Sequence, residues 1–180
     1  MKDDQRDLTE SDKATWSQLW DNLHQTHYLA FFDELYAEST VRSWRAFDTG
    51  SRFMQLLTAS GSAIAGWALW KQDGYKELWI YLAGASAIIA LVHTVLNVSE
   101  KVKEDTQVYC EFKKLRLQLE LLKSKMQIKL YDSLSEYKRD YFAILDQFGT
   151  ASALKKPDSF LFKNRPEKIQ AELNKKLGYE

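Results

Sequence analysis

FMQLLTASGSAIAGWALW, residues 53–70, and LWIYLAGASAIIALVHTVLNVS, residues 78–99, decide how this chain is built, because neither contains an Asp, Glu, Lys or Arg. The hydrocarbon core of a bilayer is about 30 Å thick and takes roughly 20 apolar residues of helix to cross, with a range of about 17–25. The two stretches, 18 and 22 residues long, fall within that range. Between them stands KQDGYKE, residues 71–77, with Gly74 at a natural turn position. A connection that short makes two helices antiparallel neighbours. The sequence therefore predicts an all-α membrane protein with a transmembrane hairpin, its spans at about 53–70 and 78–98. The competing arrangement is a soluble protein with two core helices. Such helices keep a polar face toward water, and these stretches have none.

Working outward, Trp67, Trp70, Tyr75, Trp79 and Tyr81 gather at the turn end, the depth at which amphipathic rings prefer the headgroup layer. Arg42, Arg45 and Arg52 precede the first span, and Lys101, Lys103, Lys113 and Lys114 follow the second, against Lys71 and Lys76 in the turn. Basic residues stay on the cytosolic side. Both termini are thus expected in the cytosol. The mean hydropathy of −0.44 looks soluble only because it averages the charge-free spans with charge-dense flanks. The N-terminal MKDDQRDLTESDK has no apolar core of a cleavable leader, and the single cysteine, Cys110, rules out an intrachain disulfide framework.

The spans are rich in small residues: Ala59, Gly61, Ala63 and Gly66 in the first, Ala83, Gly84, Ala87 and Ala90 in the second. Small residues four apart let helix backbones approach closely in lipid. A hairpin offers one helix–helix contact, yet the small residues cover more than one face, so self-association is expected. Polar residues also align. Gln55, Thr58, Ser62 and Gly66 form one stripe, and Ser86, Ala90, His93 and Asn97 another. Polar groups in hydrocarbon are costly and face a bundle interior or a water-filled path. Two helices enclose no such path, whereas several copies around an axis would. Gln55, Thr58, Ser62, Ser86, His93 and Asn97 are accordingly candidate pore-lining residues. The plainer alternative is that the hydroxyls bond within or across helices to hold the assembly. His93 is open to three roles: pore-facing, packed in an interface, or at the cytosolic edge.

The N-terminal region, residues 1–50, has no Gly or Pro from Thr9 to about Asp48 and reads as an amphipathic helix capped by Thr9 or Ser11. Its aromatic stripe, Trp16, Trp20 and Phe31 among others, suits core packing. His24 and His27 lie near Asp21, but nothing else completes a metal-ligand set. Residues 1–40 hold nine acids against three bases, so with a net charge of zero the remainder carries +6. Either the two parts pair, or the basic part meets an anionic partner. In residues 100–180, Val108, Phe112, Leu115, Leu119, Leu122 and Met126 alternate spacings of 4 and 3. After a slip near Leu130 the rhythm resumes at Leu134, Tyr137, Tyr141, Ile144 and Phe148. The second span is thus expected to run on into a cytosolic helix of about 50 residues, on the order of 70 Å, ending at Gly149. Pro166 then starts a short final helix to about Leu177. The basic residues Lys155, Lys156, Lys163, Arg165 and Lys168, interleaved with Phe160 and Phe162, either meet anionic lipid or bind a phosphate-rich ligand by pairing phosphates and stacking bases.

Phosphate loops, paired-cysteine zinc spacings and nucleophile elbows are lacking, and the chain is not expected to be an enzyme or to carry a cofactor. The layout, with TASGSAIAGWALW and AGASAIIALVHTVLN as small-residue spans, resembles the SLATT family, two-span effectors of bacterial anti-phage systems of the Hailong and CBASS kind. The resemblance implies a homo-oligomeric pore, a tetramer by expectation, whose opening depolarises or permeabilises the inner membrane. It also implies gating by a nucleotide or oligonucleotide made by a partner nucleotidyltransferase. The alternative from a different class is a non-conducting, membrane-anchored helical scaffold that recruits a soluble partner. An accessory subunit of a larger membrane complex is a third arrangement.

Overall fold

The computed structural model describes residues 10–63, 76–130, 133–155 and 165–178. Among them the chain is all-helical, in five helices: α1 (Glu10–Ala63), α2 (Lys76–Val95), α3 (Val98–Gln127), α4 (Leu134–Ala153) and α5 (Arg165–Leu177). The turn between the spans lies, through residue 75, outside the described residues, as does the first span beyond Ala63. The chain divides into two compact units, Met1–Glu38 with Gln107–Glu180, and Ser39–Thr106.

The boundaries correct three expectations. The N-terminal helix does not stop near Asp48: α1 runs 54 residues without interruption through Gly50 and into the first apolar stretch. A lone glycine lowers helix propensity by only about 1 kcal/mol, which the flanking turns overcome. Second, the expected continuous helix after the second span is broken twice. At Asn97 the backbone turns left-handed (φ 45°), and the helical axes on either side meet at 49°. The Asn97 N–H bonds to the Thr94 carbonyl at 3.2 Å, while its own carbonyl accepts from Glu100 and Lys101 at 3.0 and 3.1 Å. One residue therefore ends α2 and begins α3. Asparagine is, after glycine, the residue that tolerates this conformation best. The slip near Leu130 is a helix end: Lys129 has φ 50°, Leu130 N–H reaches back to Lys125 and Lys129 N–H to Met126. That pair of bonds is the Schellman closure. Third, Gly149 does not stop α4, which continues to Ala153.

The first unit is built on the repeat seen in α3. Phe112, Leu115, Leu119, Leu122 and Met126 are 0–2% exposed and pack with Leu19, Leu23 and Ala30 of α1 and Tyr137, Tyr141, Ile144 and Ala151 of α4. Each such burial stabilises by about 1.5–3 kcal/mol relative to exposure. The aromatic stripe of α1 belongs to this core, with Trp16 edge-on to Tyr137 at 5.3 Å. The Tyr141 hydroxyl meets Thr26 Oγ1 at 2.9 Å, which gives its polar end a partner. Helix α5 lies on α1 through Ile169, Leu173 and Leu35, with the Tyr28 hydroxyl donating to Asn174 Oδ1 at 3.2 Å. Glu167 in its first turn and Lys175 and Lys176 in its last match the helix dipole.

In the second unit Val98 is fully buried, and Val41, Trp44 and Ser51 are buried with it. Many of its other described apolar side chains are turned outward: Phe53, Leu56, Ile80, Tyr81, Ile88, Leu91 and Val95 are exposed. Among the described residues no single helix is long and apolar enough to cross a membrane. The pair Gly84–Val95 and Val98–Gln127, bent at its break, meets the length and composition for a span when taken together.

Candidate functional site

Charge stops along α1 at Arg52, and α2 and α3 carry none between Glu77 and Glu100. At that margin, within the second unit, the helices are joined by a polar cluster. Asp48 and Arg52 are one turn apart on α1, and Arg52 Nε meets Asp48 Oδ2 at 3.1 Å. The other carboxylate oxygen accepts from His93 Nε2 of α2 at 2.9 Å. Both side chains of this second pair are about one-fifth exposed. The hydrogen bond from His93, followed by the bond and charge of Arg52, holds the Asp48 carboxyl below its ordinary range, against the opposing pull of burial. Arg52 also donates to Ser99 Oγ at 3.4 Å. Beside it Asn97 Nδ2 donates to Glu100 Oε2, and the Lys101 ammonium stands over the Trp44 ring at 5.1 Å. A carboxylate shared by an imidazole and a guanidinium ties α1 to α2 close to the left-handed residue where α2 turns into α3. This arrangement has no nucleophile aligned with a base. It is suited to hold one helix against the other.

The other pore-lining candidates are placed as follows. Gln55 is half-buried and Ser86 buried, while Asn97 is exposed within the break. The side chains of Thr58 and Ser62, both in α1, lie outside the described residues. Of the six, His93 and Asn97 come close to the polar cluster. Of the packing candidates, Gly84 and Ala87 are exposed, and a methyl built on Gly84 would meet nothing within 4 Å. Among the described residues Gly84 makes no close helix approach. Ala59 and Gly61 belong to α1 and Ala83 to α2, with their side-chain positions outside the described residues, and Gly66 lies outside them altogether.

The basic candidates are not gathered into one pocket among the described residues. Lys155 forms an ion pair with Asp33 of α1 and sits over the Phe112 ring at 5.1 Å, so it fastens the end of α4 to the core. Burial pushes the Asp33 carboxyl up, and the Lys155 bond holds it back. Arg165 opens α5 half-buried, and Lys168 is exposed on the same helix. Lys156, Phe160, Phe162 and Lys163 lie outside the described residues. A second ion pair, Arg116 with Glu34, joins α3 to α1. The charge asymmetry between the first forty residues and the rest is thus partly discharged by pairing inside the first unit. Sequence reasoning did not single out Asp48, Glu34 or Arg116, and took Arg52 only as a flanking charge. The available signal was the Asp48–Arg52 spacing of four on the last charged turn before the apolar run.

No family model, curated protein or solved structure matches this chain.

Proposed function

We propose that the chain is a membrane effector that assembles into a homo-oligomeric gated ion channel in the bacterial inner membrane, with both termini in the cytosol. The observation that carries this reading is the outward apolar surface of the second unit. Ile80, Tyr81, Ile88, Leu91 and Val95 of α2 are 58–79% exposed on a helix with no Asp, Glu, Lys or Arg after Glu77. Water does not favour a continuous surface of that kind, and lipid does. A two-helix hairpin encloses no water, so conduction requires copies around an axis, for which a tetramer is the working number. The Asp48–His93–Arg52 cluster then stands at the cytosolic mouth. It is suited to gating better than to coordinating an ion in the middle of the pore.

The resemblance to two-span anti-phage effectors supplies the biological setting: loss of inner-membrane potential that stops phage spread, under a nucleotide or oligonucleotide signal from a partner nucleotidyltransferase. The chain acts without catalysis of its own. The test is reconstitution of the full chain in potassium-loaded liposomes. Ion flux is expected, and His93→Leu, which removes the α2 partner of Asp48, is expected to change it without changing assembly. A protein silent in bilayers but still oligomeric would favour the scaffold instead. A chain that stays monodisperse in the aqueous fraction without detergent would overturn the membrane reading altogether.

A further inference from the structure

Helix α3 carries two heptad stripes, and the core uses one. The other runs along its outer face through Cys110, Lys114, Leu117, Leu121, Ser124 and Ile128, again with alternating spacings of 4 and 3. Leu117, Leu121 and Ile128 are 49%, 58% and 70% exposed, and Cys110 is exposed with them. A groove of about 400 Å³ follows this face between Cys110 and Leu121, flanked by Lys113 and Gln118. A helix on the surface of a bundle needs one apolar stripe. A second one at a 3.5-residue period is the pattern of a helix that meets another helix.

We propose that this outer stripe is the contact surface for a second copy of the chain, α3 against α3, side by side and pointing the same way. The inference rests on the oligomeric membrane reading and names the surface that reading needs. Copies inserted with the same topology leave the bilayer from the same leaflet, which makes their α3 helices parallel. In parallel packing, a residue flanking the stripe on one side meets the residue five positions further on in the neighbouring helix. Lys113 therefore meets Gln118 of the second copy at the edge of the seam. Glu120 meets Lys125 of the second copy, opposite in charge. Reversing one helix about the same layers would set Glu120 against Glu120 of the second copy. Lys114 and Ser124 within the stripe keep the seam weak. It closes between copies that the spans have already gathered.

Cys110, the one cysteine in the chain, lies on the stripe and serves as a built-in reporter. A disulfide forms only where the two Cα atoms come within about 7 Å. Copper-phenanthroline oxidation of the full-length protein in detergent should give a disulfide-linked dimer. The double variant Leu117→Glu/Leu121→Glu leaves the core stripe untouched and places like charges across the seam, so it should cut the dimer yield by at least about tenfold. A reporter moved to the exposed Glu167 of α5 (Cys110→Ser with Glu167→Cys) should give no dimer above background. Equal yields from positions 110 and 167, or a yield indifferent to the two glutamates, would overturn the seam. Light scattering on the same samples separates the two readings. An oligomer that does not cross-link through Cys110 sinks the seam alone, and a monomer sinks the oligomer with it.

Discussion

Removing the Arg116 guanidinium tests whether the first unit is held by buried charge as well as by its apolar seam. The Glu34 side chain is 8% exposed and that of Arg116 21%. Arg116 also reaches Glu120 at 3.1 Å and lies over the Phe31 ring at 5.0 Å. The two partners are therefore not equivalent. Arg116→Met strands a carboxylate that is almost out of water, at a cost of about 3–5 kcal/mol. Glu34→Leu leaves a cation that is more exposed and keeps a second carboxylate and an aromatic face, so its cost is about 1–2 kcal/mol. Removing both abolishes the stranded charge. The double variant should therefore lose only about 1–2 kcal/mol, a coupling of about 3–5 kcal/mol between the sites. Urea unfolding in detergent micelles, followed by far-UV circular dichroism, measures each corner of the cycle. Additive losses, or an Arg116→Met cost below about 1 kcal/mol, would refute the assignment of a desolvated pair.

Three further outcomes follow from the same geometry. Phe112→Ala removes a fully buried ring that meets Phe148 edge-on at 5.9 Å and lies under Lys155. It should cost about 3–5 kcal/mol in the same unfolding assay. Lys129→Gly replaces a left-handed lysine (φ 50°) with the residue that adopts this conformation freely, and should stabilise by about 0.5–1 kcal/mol, read as a higher urea midpoint. Burial, then the charge of Lys123, holds His27 below its ordinary 6.5. The unfolded chain thus takes up a proton there before the folded one does. The contribution of neutral His27 is complete above that ordinary value and drains away as pH falls through the lowered one. Melting temperature should therefore fall between about pH 7 and 5 in the native chain and change less in His27→Gln.

The alternating apolar spacing of α3 made the core of the first unit legible in the sequence. Phe112, Leu115, Leu119, Leu122 and Met126 could be read as one face because 3.6-residue geometry leaves little choice once an apolar residue recurs every third or fourth place. The restart at Leu134 was legible for the same reason, and the final helix through Pro166, a residue suited to a helix's first turn. The helix ends were not. Gly149 looked like a stop, but it lies inside a helix whose flanking turns outweigh a single unfavourable residue, as Gly50 does in α1. The true ends fall on Asn97 and Lys129, where the signal is a left-handed backbone that a side chain announces weakly or not at all. In the candidate site, His93 and Asn97 stood out because polar groups in an apolar run are conspicuous. Asp48 did not, being one acid among many. Its importance comes from the approach of α2 to α1, a long-range contact that local spacing does not encode.

The single left-handed residue at Asn97 has a mechanical consequence. The backbone ladders of α2 and α3 both continue to that point, and the peptide groups of Asn97 serve one ladder each. Redirecting one rod against the other therefore requires rotation about only two torsions and almost no rupture of backbone bonding. Such a joint is a swivel rather than a melted hinge. Its resistance comes from what grips it from outside: the fully enclosed Val98 on one side and the imidazole–carboxylate bond on the other.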